Sequence, residues 1–234
     1  MKKLLHKISQ TPFQYRRIVS SNAYNHKLDG IRFLALSAVI LCHISNHTDV
    51  YGNFTEPSDY IRTTFIYNLF QGVSLLFVLS SYLLSVFLFR VDIKSILKTY
   101  FIRRFIRIFP PYAVALTICM VVSLFVLHRL DIVEGFKHYT TSLFFANNFI
   151  YPLTHPVIMP VGWTVEIEVQ YYSLLPIIIL IYKKFKTISR IISVLGLFFL
   201  PVLLDKFHWY EHTNLVFQIP YFLAGILLAD LIYH

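Results

Sequence analysis

Charged residues are scarce in this chain, since only 14% of its 234 residues are Asp, Glu, Lys or Arg, whereas 56% are hydrophobic. Cysteine is also rare, and the 2 cysteines, Cys42 and Cys119, both lie inside apolar runs. A soluble domain carries about a quarter charged residues, and a disulfide framework needs several cysteines at regular spacings. The composition therefore excludes an ordinary soluble domain and a small disulfide-bonded one.

Long apolar runs take the place of the missing charge. The mean hydropathy is +0.61, and 17% of the residues are aromatic. Because open strands would leave backbone groups unpaired in lipid, we predict that the apolar segments are helices, each of about 20 residues. The sequence thus predicts an all-α fold, a polytopic membrane helical bundle of about six spans, at roughly 28–46, 66–89, 110–128, 163–182, 188–204 and 214–232.

Basic residues are distributed unevenly along this bundle. The net charge is +9, and most of the 21 Lys and Arg residues fall in the N-terminal region through Arg32 and in the connections after the second and fourth spans. The remainder are Arg62, Arg129, Lys137 and Lys206. This bias places the N-terminus in the cytoplasm, with 1–27 as a basic tail and 28–234 as the membrane domain. We therefore interpret the charge as an inner-face signal, and we expect no nucleic-acid partner.

The first predicted span, LDGIRFLALSAVILCHISNH, contains Arg32 and His43, residues that a bilayer helix normally excludes. They are eleven residues apart, about three helical turns, so both side chains face the same way and lie roughly 16 Å apart along the axis. Snorkelling to the inner interface would explain Arg32 alone, and a hydrogen bond inside the bundle would explain His43 alone. Their shared face favours a functional pair, with Arg32 at the inner boundary and His43 in the outer half.

A basic segment, KSILKTYFIRRFIRIFPPY, follows the second span. The spacing of its apolar residues predicts an amphipathic helix that lies on the inner membrane surface and ends at Pro110–Pro111. Its arginines, Arg103, Arg104 and Arg107, are explained either as an anchor to anionic lipid or as a phosphate site. The residues alone favour the anchor and leave the phosphate site open.

Two carboxylates open the fourth span, in GWTVEIEVQYY. Acidic residues favour the first turn of a helix, with Thr164 as the expected N-cap. Glu166 and Glu168 lie about 200° apart around the helix, so at least one should point into the bundle, and Gln170 shares a face with Glu166. A buried carboxylate needs a partner, and His43 is expected at the same depth. The sequence has no HExxH, paired-cysteine, Walker or GxGxxG motif, and we expect no metal site.

Taken in order, these motifs resemble the acyltransferase type 3 family, integral membrane enzymes that O-acylate carbohydrates and other hydroxyl acceptors. The first span is similar to the family's opening Leu-Asp-Gly, Arg, ten residues and His. GVSLLFVLSSYLL, RRFIRIFPPY, WTVEIEVQYYSLLP and FQIPYFLAGILLAD resemble later family elements in the same order. Ser74 stands where the family commonly has Asp, and Ser80-Ser81-Tyr82 where it has Ser-Gly-Phe.

The resemblance implies a donor, an acceptor and a site. The donor would be cytoplasmic acyl-CoA, with acetyl-CoA as the first candidate, and no cofactor would be permanently bound. The acceptor would be a hydroxyl group of a carbohydrate or surface glycan. The enzyme would lie in a bacterial cytoplasmic membrane. His43 would be catalytic together with Glu168, which would orient the imidazole or the acceptor. The donor phosphates would meet Arg32, Arg103, Arg104 and Arg107, and substrate-orienting contacts would come from Glu166, Gln170 and Trp163.

Length is the main departure from the family pattern. Family members usually carry about ten spans, whereas this sequence predicts about six, so we expect a domain that is incomplete at its C-terminus. Two other interpretations therefore stay open: an inactive fragment of such an enzyme, and a transporter or flippase that uses the same polar residues as a pathway. The absence of an evident repeat counts mildly against the transporter.

Overall fold

A computed structural model describes residues 26–47, 64, 68–128, 130–151, 156–206 and 213–233, in which every regular element is a helix. Residues 1–25 of the predicted cytoplasmic tail lie outside this part of the chain. The helices are α1 (His26–His47), α2 (Gln71–Arg90), α3 (Ile93–Val121, extended by a π-helical turn over Val122–Val126), α4 (Ile132–Leu143), α5 (Asn147–Ile150), α6 (Trp163–Lys184, entered through a 3-10 turn at Pro160–Gly162), α7 (Lys186–Lys206) and α8 (Leu215–Tyr233).

Six of the described helices are long and apolar enough to cross a membrane. The corresponding segments are Lys27–Ser45, Gln71–Arg90, Ile93–Val126, Pro160–Lys184, Lys186–Lys206 and Leu215–Tyr233. The predicted all-α membrane bundle of about six spans is therefore confirmed, and the protein is an integral membrane protein. The cytoplasmic position of the N-terminus stays a prediction.

The prediction that the basic segment ends at Pro110–Pro111 is wrong. Helix α3 runs unbroken from Ile93 to Val121 through both prolines. Proline removes a backbone hydrogen bond and usually ends or kinks a helix. Here Tyr100 and Tyr112, on either side of the prolines, are both buried against neighbouring helices. Packing on both sides holds the two halves as one helix, and the arginines become part of a long span.

Helices α2, α6 and α8 run in the same direction. Phe77 packs edge-on against Trp163, with ring centroids 6.3 Å apart. Ser81, further along α2, hydrogen-bonds Tyr171, further along α6, at 2.6 Å. Along α2 and α8, Phe77 contacts Phe222 and the later residue Phe89 contacts the later residue Tyr233, so these two helices are also parallel. Most of the described core lies among these three helices.

Helices α3 and α7 run in the opposite direction to these three. Tyr112 near the far end of α3 donates to Glu166 near the start of α6, at 3.5 Å, whereas Tyr100 donates to the carbonyl of Tyr172 at 3.0 Å. Arg190, near the start of α7, pairs with Asp230, near the end of α8. Direction therefore alternates among the spans α2, α3, α6, α7 and α8, as a chain that crosses a bilayer repeatedly requires. By the same rule we expect α1 to be antiparallel to α2.

Two glycines allow helices to approach closely. A Cβ added at Gly72 would lie 2.5 Å from the carbonyl oxygen of Ala35, and one added at Gly225 would lie 2.5 Å from the carbonyl oxygen of Val78. Small residues at such crossings let membrane helices pack backbone to backbone. Gly72 thus fixes the register of α1 on α2, and Gly225 the register of α8 on α2.

Candidate active site

A slot lies between α1, α2 and α6, with a volume of about 210 Å³. Four of its lining residues are polar: His43, Ser80, Thr164 and Glu168. The others are apolar, namely Leu36, Val39, Phe70, Val73, Leu76, Phe77, Val161 and Trp163. The slot is thus an apolar channel with few hydrogen-bonding groups, and it brings together His43, Glu168 and Trp163 from the predicted site.

Helix α1 lines the slot with one stripe. Leu36, Val39 and His43 face the slot, and their spacing of three and four residues is that of one helical face. Arg32 continues the stripe one turn below Leu36, and its guanidinium pairs with Asp29 at 3.4 Å while remaining part-exposed. The predicted shared face of Arg32 and His43 therefore coincides with the face of α1 that lines the slot.

His43 and Glu168 lie towards opposite ends of the slot. Gly72 of α2 faces Ala35–Val39 of α1, and His43 is four to eight residues beyond that crossing, or about 6–12 Å. On the other side, Ser80 is eight residues beyond Gly72, or about 12 Å, and its hydroxyl donates to Glu168. With α1 antiparallel to α2, these offsets add to roughly 20 Å between the two backbone positions along the helix axes. By this estimate His43 and Glu168 differ in depth, although both line the slot.

Glu168 is held by hydroxyl groups at the end of the slot away from His43, which we call the inner end because the predicted orientation places it nearer the cytoplasm. Its Oε1 accepts from the Ser80 hydroxyl at 3.0 Å and from the Tyr172 hydroxyl one turn along α6. The guanidinium of Arg104 lies 5.4 Å from the centre of the Tyr172 ring and close enough to Glu168 for their charges to interact. A carboxylate, two hydroxyls and a guanidinium therefore form one cluster, which we call the inner polar cluster.

The three predicted phosphate-binding arginines of α3 point in different directions. Arg104 is half-buried and turns towards α6, whereas Arg103 and Arg107 are exposed. The i, i+4 spacing of Arg103 and Arg107 puts both on the outward face of α3. Only Arg104 of the three joins the inner polar cluster.

Glu166 is fully buried and lies away from the slot lining. It accepts hydrogen bonds from the Tyr112 hydroxyl at 3.5 Å and from the backbone N–H of Asn148 at 3.2 Å. The prediction that a carboxylate of this pair points into the bundle is confirmed, but the partners are on α3 and α5 instead of His43. Thr164 does not cap α6, because its hydroxyl donates to the carbonyl of Val161.

Gln170 lies one turn below Glu166, as their shared face predicted. Its amide nitrogen donates to the carbonyl of Phe145 at 2.8 Å and to the side chain of Asn148 at 2.7 Å. Phe145 has a positive φ of 56°. Glu166 and Gln170 therefore hold the tight turn between α4 and α5 against α6, and neither lines the slot.

Sequence reasoning missed three residues of these networks. Ser80 is inside the segment GVSLLFVLSSYLL, but its hydroxyl carried no signal of a partner 88 positions away. The sequence predicts that Tyr172 shares a helix face with Glu168, and the hydrogen bond between them confirms it. Tyr112 and Asn148 carried no signal either, because their contacts with Glu166 depend on how α3 and α5 pack on α6.

A model of the acyltransferase type 3 family, described as an acyltransferase domain, matches residues 25–234. The chain belongs to this family. It is 30% identical over 192 residues to the peptidoglycan O-acetyltransferase OatA of Listeria monocytogenes serovar 1/2a, an alignment that covers 76% of this chain and 28% of the relative.

A second relative comes from Acidianus two-tailed virus and is named "Putative acetyltransferase ORF330". The two are 28% identical over 155 residues, which cover 66% of this chain and 44% of the relative. The chain thus spans less than half the length of each of these curated relatives. No solved structure matches it significantly.

Proposed function

We propose that the protein is a membrane O-acyltransferase that moves an acyl group from cytoplasmic acyl-CoA to a hydroxyl group of a carbohydrate or glycan. The first candidate for the acyl group is acetyl. Family membership supports the reaction class. The observation that carries the proposal is the slot, an apolar channel with His43 towards one end and the inner polar cluster at the other. This arrangement suits a long donor with a charged head and a reactive tail.

The donor would enter with its phosphates at the basic end. Arg104 belongs to the inner polar cluster, and Arg32 lies on the face of α1 that lines the slot. Guanidinium groups match phosphate oxygens in geometry and charge. Arg103 and Arg107 are exposed on α3, where they would attract the anionic donor or anionic lipid. The narrow pantetheine arm would extend along the apolar walls and carry the thioester to His43.

His43 would act as a general base at the thioester. The acceptor hydroxyl oxygen attacks the thioester carbonyl carbon while His43 takes the hydroxyl proton. The carbon–sulfur bond then breaks, the ester forms, and the thiolate of CoA leaves and receives the proton. In the alternative route the imidazole takes the acyl group first and passes it to the acceptor. Acyl label trapped on the protein by donor alone would favour that route.

The acceptor would approach from the outer end of the slot. Trp163 lines the slot wall between Phe70 and Phe77, and an aromatic ring there suits a sugar or the acyl group. Glu166 and Gln170 would act indirectly, because they flank Glu168 on α6 and hold the α4–α5 turn against that helix. A glycan acceptor and a bacterial cytoplasmic membrane are supported by the name and organism of the peptidoglycan-modifying relative.

Replacement of His43 by alanine tests the proposal. We expect His43→Ala to lower acyl transfer by about 100-fold or more, since a positioned general base contributes about 10²–10⁴-fold. The measurement is transfer of labelled acetyl from acetyl-CoA to a glycan preparation by the full chain in membranes. The matched control is His128→Asn, because His128 is exposed outside the slot. Wild-type transfer by a membrane-inserted His43→Ala protein would refute the assignment.

A further inference from the structure

The role of Glu168 follows from its distance to His43. The crossing at Gly72 places the two residues towards opposite ends of the slot, roughly 20 Å apart along the helix axes. A carboxylate this far away neither hydrogen-bonds the imidazole nor reaches an acceptor hydroxyl beside it. Glu168 nevertheless lines the slot, so a molecule that fills the slot would touch it.

One oxygen of Glu168 is occupied and the other is open. Oε1 accepts from both Ser80 and Tyr172, whereas Oε2 makes no hydrogen bond within the part of the chain that the structure describes. The two hydroxyl donors fix the carboxylate in orientation, and Arg104 beside Tyr172 offsets its negative charge. The result is a preoriented hydrogen-bond acceptor on an otherwise apolar wall.

The other polar residues of the slot are weaker acceptors than the Glu168 carboxylate. Ser80 and Thr164 donate their hydroxyl hydrogens to Glu168 and to the carbonyl of Val161, and their neutral oxygens accept less strongly than a charged carboxylate. His43 lies towards the far end. An amide N–H or hydroxyl that enters an apolar channel pays a desolvation penalty unless it finds an acceptor. The pantetheine arm of CoA carries such groups between its diphosphate and its sulfur.

We infer that Glu168 is a donor-binding residue whose carboxylate accepts a hydrogen bond from the pantetheine arm of acyl-CoA, at the end of the slot away from His43. The inference rests on the proposed function for the identity of the donor. It assigns Glu168 to recognition of the donor, and it leaves proton transfer to His43.

Binding measurements with Glu168→Gln test the inference without turnover. In the variant the remaining carbonyl oxygen keeps Ser80 and Tyr172 as donors, so the new NH₂ group faces the slot and cannot accept. We expect the Kd for CoA to rise about tenfold, because a hydrogen bond to a charged group contributes about that much or more. Adenosine 3′,5′-bisphosphate, which lacks the arm, should bind both proteins equally. Equal loss with both ligands, or no loss with either, would overturn the inference.

Kinetics with two donors separate recognition from chemistry. Glu168→Gln should raise the KM for acetyl-CoA about tenfold and leave kcat within about twofold. With S-acetyl-N-acetylcysteamine, which keeps the thioester but lacks the distal arm, wild type and variant should behave alike. A fall in kcat with both donors would place Glu168 at the reacting end and overturn the inference.

The two proposals fail in distinguishable ways. CoA binding that depends on Glu168, without any acyl transfer, would refute the enzyme activity and leave the donor-binding role standing. Failure of the wild-type protein to bind CoA would remove both. Tyr172→Phe is the matched control, because it removes one donor to Oε1 and leaves both carboxylate oxygens in place, so the Kd for CoA should change less than in Glu168→Gln.

Discussion

Arg103, Arg104 and Arg107 are close in sequence, but α3 points them to different surroundings. Arg104 is packed beside Tyr172 and the Glu168 carboxylate, while its two neighbours are exposed. A guanidinium held in one direction binds a phosphate with less loss of side-chain freedom than a mobile one. The three residues should therefore contribute unequally to donor binding.

Paired substitutions of adjacent arginines measure this difference. We expect Arg104→Ala to raise the KM for acetyl-CoA more than tenfold, because it removes a preoriented cation at the inner end of the slot. Arg103→Ala removes the same charge from an exposed site and should change the KM less than about threefold at moderate salt. Steady-state kinetics on both variants make the comparison, and equal effects would show that only net charge matters.

Site residues on one helix could be predicted from the sequence, whereas contacts between different helices could not. Arg32 and His43 share one helix, so their spacing alone predicted a common face. Glu168 was found through the family resemblance and the oddity of a carboxylate in an apolar span. Its hydroxyl donor Ser80 was not, because that contact crosses between helices, and no spacing within one helix reports such a register.

At the scale of helices, hydropathy predicted six spans because each must bury about 20 residues in lipid. It failed at Pro110–Pro111, where a local rule about proline competed with packing. Buried tyrosines on both sides of the prolines keep α3 continuous. The predicted helix break considered only the residues next to the prolines. The contacts that keep the helix continuous are made with α4 and α6, which are distant in sequence.

The crossing of α8 on α2 leaves no room for a methyl group at Gly225. A methyl group at Gly225 would lie 2.5 Å from a backbone oxygen and 2.6 Å from the Cβ of Ser81. Gly225→Ala should therefore destabilise the protein by about 1–3 kcal/mol through overpacking.

Gly30 is the matched control. It has nothing within 4 Å of its Cβ position, so Gly30→Ala should be neutral or stabilising by about 0.5–1 kcal/mol. Thermal unfolding in detergent compares the two, and equal midpoints would contradict the close crossing.

At the scale of the whole molecule, the orientation in the membrane is a prediction that rests on the distribution of charge. Lys98 on α3 and Lys137 on α4 are both exposed, and the distribution of basic residues places them on opposite faces. With the native cysteines replaced by alanine, a cysteine at Lys137 should react with a membrane-impermeant maleimide added to intact cells, and one at Lys98 should not. Both should react after permeabilisation, and the reverse pattern in intact cells would invert the topology.

The histidine proposed to carry the chemistry is on a helix with few buried side chains. Of the described side chains of α1, only Ala35 and Cys42 are buried among the hydrophobic residues, and the close contact of α1 with α2 centres on Gly72. Many of the described side chains of α1 are exposed, and where they meet lipid a bilayer that is too thick or too thin for the helix changes its tilt. Any such tilt moves His43 relative to the fixed end of the slot. The thickness of the surrounding membrane would thus change the distance between His43 and the inner polar cluster. That distance determines whether the thioester and the phosphates of one donor molecule can both be bound.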